Sequence, residues 1–236
     1  MIKAYLLNRE ELKKIKYDEM IFSEGRKAKI EKFKHEDDKE LSACAELLLI
    51  YALKKLDVHV QLPLEITEEE SGNLLLDSKV EGFEKIYFNI SHSKDYAAVV
   101  VSDEHVGIDI ETIKTKEVDH MDRILHEEEV LLLSFVSNPS EKKKYFYECW
   151  VSKESYLKNL GLGLSVRPNE FKVEEEKLVT KLDNLKQRYV HLCKSKEIKN
   201  ADFTFDGNYR LAICSERKEE FDVTLLSAYD FEDVVF

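Results

Sequence analysis

No stretch of this chain approaches the ~18 consecutive apolar residues of a membrane-spanning helix. The opening Met1-Ile-Lys-Ala-Tyr-Leu-Leu-Asn-Arg9 is too short an apolar run for a secretory leader. A cytoplasmic protein with no membrane partner is the expectation. The four cysteines, Cys44, Cys149, Cys193 and Cys214, lie far apart with no C-x-x-C pair, which speaks against a zinc knuckle or a thioredoxin-like motif and leaves ordinary buried thiols. Positive charge is in deficit: 36 Lys+Arg against 48 Asp+Glu give a net charge of −12. That balance argues against a broad nucleic-acid footprint while leaving room for a local basic pocket that takes phosphate. Glycine-rich linkers and short-period repeats are absent, and so are G-x-S-x-G, H-E-x-x-H and the Rossmann spacing of glycines.

What is present is enough apolar material for a core, 43% of 236 residues. Ile2 to Leu7 reads as a strand, with Ile15, Met20, Ile21, Ile30 and Phe33 as one face of a helix after it. Asp37 and Asp38 precede Leu41, Cys44, Ala45, Leu48 and Leu49 at the spacing of a second helix with an acidic start. Residues 54 to 82, interrupted by Pro63 and Gly72, predict short strands and loops. Ile86 to Ile90 predicts a buried strand, and Tyr96 to Ser102 with Val106 to Ile110 a strand pair turned at Asp103 and Glu104. Helical patterns follow, one with Val118, Met121, Ile124, Leu125, Val130, Leu131 and Ser134, the next from Pro139 to near Gly161. Beyond it, Phe171 to Val173, Arg188 to Leu192, Tyr209 to Cys214 and Val223 to Leu226 read as strands. The plan is α+β rather than regular βαβ alternation, in two similarly sized halves, residues 1–112 and 113–236.

Three segments carry chemistry. In Val106-Gly107-Ile108-Asp109-Ile110-Glu111 an extended chain turns Gly107, Asp109 and Glu111 one way and the branched residues into the core. Carboxylates ~7 Å apart along a strand can ligate one hard cation, and Gly107 leaves room for another backbone or a ligand. An acidic solvent-facing strand is the plain alternative. Glu154, in an aromatic-rich helix, offers a third oxygen donor, and a few carboxylates suit Mg²⁺ bound to phosphates. Phe88-Asn89-Ile90-Ser91-His92-Ser93 sets a strand end before a turn of donors, where Ser91, His92 and Ser93 can contact phosphate and Asn89 can fix the turn. A capping or surface histidine is the alternative there. Trp150, Glu154 and Lys158 fall on one helical stripe as a packed wall, a ligand and a phosphate contact, although Glu154 and Lys158 are equally an ordinary i,i+4 pair.

In this order and separation, Asn89 to Ser93, Gly107 to Glu111, Trp150-Val151-Ser152-Lys153-Glu154-Ser155 with Lys158, and Gly161-Leu162-Gly163-Leu164 strongly resemble the Sfp-type 4′-phosphopantetheinyl transferase superfamily. The likeness extends loosely from Arg26 to Cys214 and most specifically from Phe88 to Leu164. It implies a pseudo-twofold monomer of two α/β subdomains with coenzyme A and Mg²⁺ at their junction. The implied reaction moves the 4′-phosphopantetheine arm to a serine of an apo acyl carrier or peptidyl carrier protein and releases 3′,5′-adenosine bisphosphate. By the same resemblance Asp109, Glu111 and Glu154 are the metal carboxylates, and Asp109, Glu154 and Lys158 the catalytic set, with Glu154 the preferred general base. Ser91, His92, Lys153 and Lys158 would bind the cofactor, and Arg26 and Lys29 would meet the nucleotide 3′-phosphate. A Mg²⁺-dependent nucleotide pyrophosphate hydrolase and a noncatalytic carrier-binding module are the alternatives. The chain departs from the family pattern near Leu41, where a basic residue is usual, and at Gly72-Asn73-Leu74, where G-K-P is usual. Both departures remove expected coenzyme A contacts.

Overall fold

The computed structural model describes residues 1–58, 61–80, 83–114, 121–174, 177–180, 186–194, 197–199, 205–219, 221–232 and 234. The chain runs through β1 (Ile2–Asn8), α1 (Arg9–Leu12), α2 (Glu24–Glu31), α3 (Glu36–Lys55), β2 (Thr67–Glu68), β3 (Leu74–Val80), β4 (Phe83–Ser93), β5 (Tyr96–Ser102) and β6 (Val106–Thr112). It continues with α4 (Glu127–Ser134), α5 (Pro139–Leu160), β7 (Phe171–Glu174), β8 (Lys177–Thr180), β9 (Tyr189–Cys193), β10 (Ile198–Lys199), β11 (Tyr209–Ser215) and β12 (Asp222–Leu226). The mixture is α+β, as the sequence implies. A seven-stranded sheet has the order β10-β12-β1-β5-β4-β3-β2, and a five-stranded sheet the order β6-β11-β9-β8-β7.

The expected strand pair between Tyr96–Ser102 and Val106–Ile110 does not form. Both edges of β5 are occupied, one by β1 and the other by β4, so β6 crosses to the second sheet and pairs with β11. The hairpin lies one strand earlier, where β4 and β5 reverse through a two-residue turn at Lys94, whose φ of 53° suits such a turn. Residues Ser91 to Ser93 are therefore strand and not turn. Close to the other end of the chain, β12 lies parallel to β1, pairing Lys3 with Asp222 through to Leu7 with Leu226.

Strand alternation sorts the side chains into layers. Ala97, Val99 and Val101 of β5 face α3, while Ala98 and Val100 face the second sheet. There they meet Val106, Ile108 and Ile110 of β6 together with Leu211 and Ile213 of β11. Ala212 and Cys214, the alternate residues of β11, pack under Val151, Tyr156 and Leu157 of α5. The stack is α3, first sheet, second sheet, α5. Helix α3 is buried on every side from Leu41 to Leu53, as a helix largely apolar all round must be, and its buried Glu46 is paired with Arg26. Its outer side is covered by Leu12, Ile15, Ile21 and Phe22. Those covering residues are not one helical face, because the chain there breaks into α1 and α2 with separate caps at Asn8 and Ser23, and Met20 is 75% exposed. Val118 of the expected helix before α4 lies outside the described residues. All four cysteines are buried free thiols, as expected. Among the described residues no helix is long and apolar enough to cross a membrane.

Helix α5 starts where the sequence places it, with Asn138 accepting from the N–H groups of Ser140 and Glu141 and Pro139 in the first turn. It lies so close to β6 that Gly107 has no alternative. A Cβ there would collide with Ser155 O and stand 2.6 Å from Asn159 N. The room beside Gly107 belongs to another backbone rather than to a ligand. Gly107→Ala should force α5 off the sheet and lose about 3 kcal/mol, roughly 6 to 12 °C in Tm for a chain of this size. Thermal unfolding within 2 °C of the parent would refute the contact.

Candidate active site

Among the described residues only one edge of β6 is paired with a strand. On its other edge the N–H groups of Ile108, Ile110 and Thr112 donate to side chains of β4: to Asn89 Oδ1 at 3.2 Å, Ser91 Oγ at 3.3 Å and Ser93 Oγ at 3.0 Å. The two serine hydroxyls in turn donate to the carboxylates standing between those amides. Ser91 Oγ lies 2.8 Å from Asp109 Oδ1, and Ser93 Oγ lies 2.9 Å from Glu111 Oε2. Asn89, Ser91 and Ser93 thus stitch the two sheets together and orient the acidic pair. His92 belongs to the opposite face of β4.

Helix α5 closes this seam. Lys158 Nζ donates to Asp109 Oδ1 at 2.7 Å, Ser91 Oγ at 3.0 Å and Ile108 O at 3.2 Å. Its ion-pair partner is therefore Asp109 across the seam and not Glu154 on its own helix. Trp150 of α5 lies near Glu111, and Glu154, one turn further along the helix, is close enough to feel Asp109, Lys158 and Glu111. Three carboxylates stand along this crossing of α5 and β6, near enough to act on one another electrostatically.

Burial first, and then the neighbouring Asp109, hold the Glu111 and Glu154 carboxyls above their ordinary values. Burial also raises Asp109, against the opposing pull of Lys158 and Ser91. Two buried oxygens, Asp109 Oδ2 and Glu154 Oε1, have no hydrogen-bond partner among the described residues. Hard anionic oxygens with mutual repulsion and unused lone pairs fit a hard divalent cation such as Mg²⁺, which Asp109, Glu111 and Glu154 would hold. Among the described residues no three His, Cys, Asp or Glu side chains are gathered into a preformed metal cage.

The other expected site residues divide. His92 is solvent-facing on the α2–α3 side, where desolvation and then the Lys158 and Arg26 cations hold its imidazole below the ordinary value against Asp38 and Asp109. Arg26 is nearby but engaged, with Nε 2.5 Å from Glu46 Oε2 and Nη2 2.7 Å from Ser42 O. Lys29 is exposed on α2, and Leu41 is part of the α3 core. Lys153 is not brought to the site. It is 0% exposed, paired with Glu129 of α4, and donates to Ile124 O at 2.8 Å. It fastens α4 to α5, so its expected place among the cofactor-binding residues is corrected. Residue reading also passed over Asn159, whose side chain donates to His105 O at 2.7 Å and Cys214 O at 3.3 Å and accepts from Arg188 Nε at 2.6 Å. Its signal is position, one turn after Ser155 and three residues after Tyr156 on the buried side of α5.

A two-sheet α+β protein with an acidic seam crossed by a lysine-bearing helix is thus defined. The model of the 4′-phosphopantetheinyl transferase superfamily matches residues 105–214, which carry β6, α5 and β11. The 4′-phosphopantetheinyl transferase gsp of Aneurinibacillus migulanus is 35% identical over 95 residues, 40% of each chain. A 4′-phosphopantetheinyl transferase of Bacillus subtilis is 26% identical over 211 residues, 88% of each chain. The transferase Sfp of Bacillus subtilis strain 168 is 24% identical over 209 residues, 87% of each chain. By the family model and by these relatives the chain is similar to the 4′-phosphopantetheinyl transferase superfamily.

Raised carboxyl pKa values have a definite linkage sign: their contribution to stability is present below the unfolded-state value and is lost as pH rises through the folded one. Glu154→Gln should therefore stabilise the metal-free protein at neutral pH by about 1 kcal/mol after solvent screening, roughly 2 to 4 °C. The gain should fade toward acidic pH. Mg²⁺ should raise the Tm of the parent more than that of E154Q, and equal Mg²⁺ shifts in the two would remove Glu154 from the metal set.

Proposed function

We propose that this chain transfers the 4′-phosphopantetheine arm of coenzyme A to a serine of an apo acyl or peptidyl carrier protein, as a cytoplasmic monomer using Mg²⁺. The supporting observation is the seam of Asp109, Glu111, Glu154 and Lys158, two of its carboxylates holding an unpartnered buried oxygen, in a chain similar to this family. A holo-[acyl-carrier-protein] synthase of Streptococcus agalactiae is 36% identical over 64 residues, 25% of this chain and 54% of that one, which supports the carrier as acceptor. The proposed subdomains, residues 1–112 and 113–236, exchange strands: β6 joins the sheet of the second half, and β10 and β12 join the sheet of the first.

In this reading the serine oxygen attacks the β-phosphorus, the bond from that phosphorus to the bridging oxygen breaks, and 3′,5′-adenosine bisphosphate leaves with that oxygen. Glu154 takes the serine proton, since its raised proton affinity brings a carboxylate closer to the range useful for a base. Lys158 places positive charge beside the leaving oxygen. A divalent cation on the three carboxylates supplies neutralisation of pyrophosphate charge. Arg26, Lys29 and His92 form the polar side for the nucleotide phosphate, and Ser91 orients Asp109 and Lys158 through its hydroxyl.

Incubation with coenzyme A, Mg²⁺ and several apo carriers, read by intact mass, should show an arm-sized increase on a carrier. Release of phosphopantetheine without an acceptor would point to a hydrolase instead. With saturating donor, Lys158→Ala should lower kcat by about 10² to 10³, with coenzyme A binding retained. Lys158→Arg should recover part of the rate, because it keeps charge but not shape. A fall of only a few fold in K158A would reject the role of Lys158.

The acceptor surface is proposed on α4. This helix is fixed to α5 by Glu129 and Lys153, and it exposes Leu131 at 58%, Leu132 at 58% and the following Phe135 at 78%. Apolar groups of this kind suit an acceptor that an acidic enzyme must bind without broad charge attraction. Leu131→Glu should raise KM for the carrier about tenfold, by loss of roughly 1.4 kcal/mol, with KM for coenzyme A unchanged. An unaltered carrier KM would move the acceptor elsewhere.

A further inference from the structure

The β2–β3 turn is seated on the end of α5. Gly72 has φ +88°, and a Cβ on it would lie 2.7 Å from Gly161 O; a Cβ on Gly161, φ +68°, would collide with Ser71 O. The two backbones touch with no side chain between them. Helix α5 ends with Leu162 N–H donating to Leu157 O and Gly161 N–H donating to Lys158 O, both at 3.1 Å.

Asn73, 7% exposed, reaches the carbonyls at this end. With its amide NH₂ turned to them it donates to Lys158 O and Asn159 O, each at 3.1 Å, while its oxygen accepts from Ser71 Oγ at 3.1 Å. The reverse orientation would set its oxygen against two carbonyl oxygens, so the donating orientation is the one that electrostatics allows. On the opposite side Asn159 holds the same turn to His105 O, Cys214 O and Arg188. The last turn of α5 is clamped from both sheets, and Lys158 is on it.

We propose that Asn73 is a positioning residue for Lys158, fixing the helix end so that the ammonium stays against Asp109, Ser91 and Ile108 O. Helix ends fray first because their last carbonyls lack partners in the helix. Lys158 projects from that fraying turn, and its three bonds lie on β4 and β6. A small movement of the turn relative to the sheets would break all three. The residue standing where the family pattern has lysine thus has a task of its own, directed at the helix.

The kinetic half of the test rests on the proposed transfer reaction; the chemical half does not. Lysines are acylated briefly with a water-soluble reagent and read peptide by peptide, comparing the parent, Asn73→Ala, Asn73→Asp and Asn138→Ala, which removes the cap at the far end of α5. Lys158 labelling should rise at least fivefold in N73A, with exposed Lys32 and Lys94 unchanged, and further in N73D, whose carboxylate would face two carbonyls. N138A should leave Lys158 protected despite a lower Tm. In transfer assays N73A should lose at least tenfold in kcat with KM for coenzyme A unchanged. Lys158 labelling in N73A within twofold of the parent, or equal to that in N138A, overturns the proposal. Should N73A fail to fold, Asn73→Gln, which keeps the amide on a longer arm, is read by the same thresholds. A parent that modifies no carrier defeats the transfer reading alone and leaves the labelling to decide this one.

Discussion

The site depends on how the free edge of β6 is satisfied. A buried strand edge needs a partner for every second N–H, and β11 serves only one side of β6. The other side receives the oxygens of Asn89, Ser91 and Ser93 from β4. Side chains do what a neighbouring backbone would otherwise do. The period of two along β4 meets the period of two along β6, so N-x-S-x-S and G-x-D-x-E are two halves of one joint. A serine hydroxyl suits this joint because it accepts from the amide and donates to the adjacent carboxylate at once. Alanine could do neither, and an amide side chain would not present the same donor and acceptor on one atom.

That joint gathers charge which the fold alone would not favour. Asp109, Glu111 and Glu154 are pushed above their ordinary carboxyl values by burial, and Lys158 offers one cation against three acids. Buried like charges are retained against stability where a ligand is to be bound, and the unpartnered Asp109 Oδ2 and Glu154 Oε1 are the local sign of that tension. Lys153 and Glu129, one turn away, show the contrasting case. There the opposite charges are matched one to one, the lysine is fully enclosed, and the result is a fastener between α4 and α5 rather than a site.

What the sequence made legible was local. Alternation in Val106 to Glu111 separated the core residues from those that face α5, and Pro139 and Gly161 marked the ends of α5. The cluster Ser91 to Ser93 read as a turn because its residue types are those of turns; in the fold its hydroxyls are drawn into the β6 joint, and the reversal moves on to Lys94. Pairings of β6 with β11 and of β1 with β12 span a large part of the chain and leave no local mark. Lys153 carried a usable signal, since it falls with Phe146, Cys149 and Tyr156 on the buried side of α5. A lysine on such a stripe is a buried pair before it is a ligand. Asn73 looked like a loss relative to the family pattern, and its contact to the α5 carbonyls was visible only once turn and helix met.

The register between α5 and β6 follows from two pitches. Four helical residues advance about 6 Å, and two strand residues about 6.6 to 6.8 Å. A helical i, i+4 stripe laid against a strand i, i+2 face therefore stays in step for several residues before drifting. Trp150 meets Glu111, Glu154 feels Asp109 and Glu111, Lys158 meets Asp109, and Ser155 and Asn159 close over Gly107. The helix must run opposite to β6 for that order to hold. The close approach at Gly107 brings the two within side-chain reach, and the carbonyl clamp at the end of α5 fixes the phase. Remove the close approach and the carboxylates separate; shift the phase by one residue and the stripe turns away from the strand. The acidic site is therefore a property of the helix–strand contact as a whole.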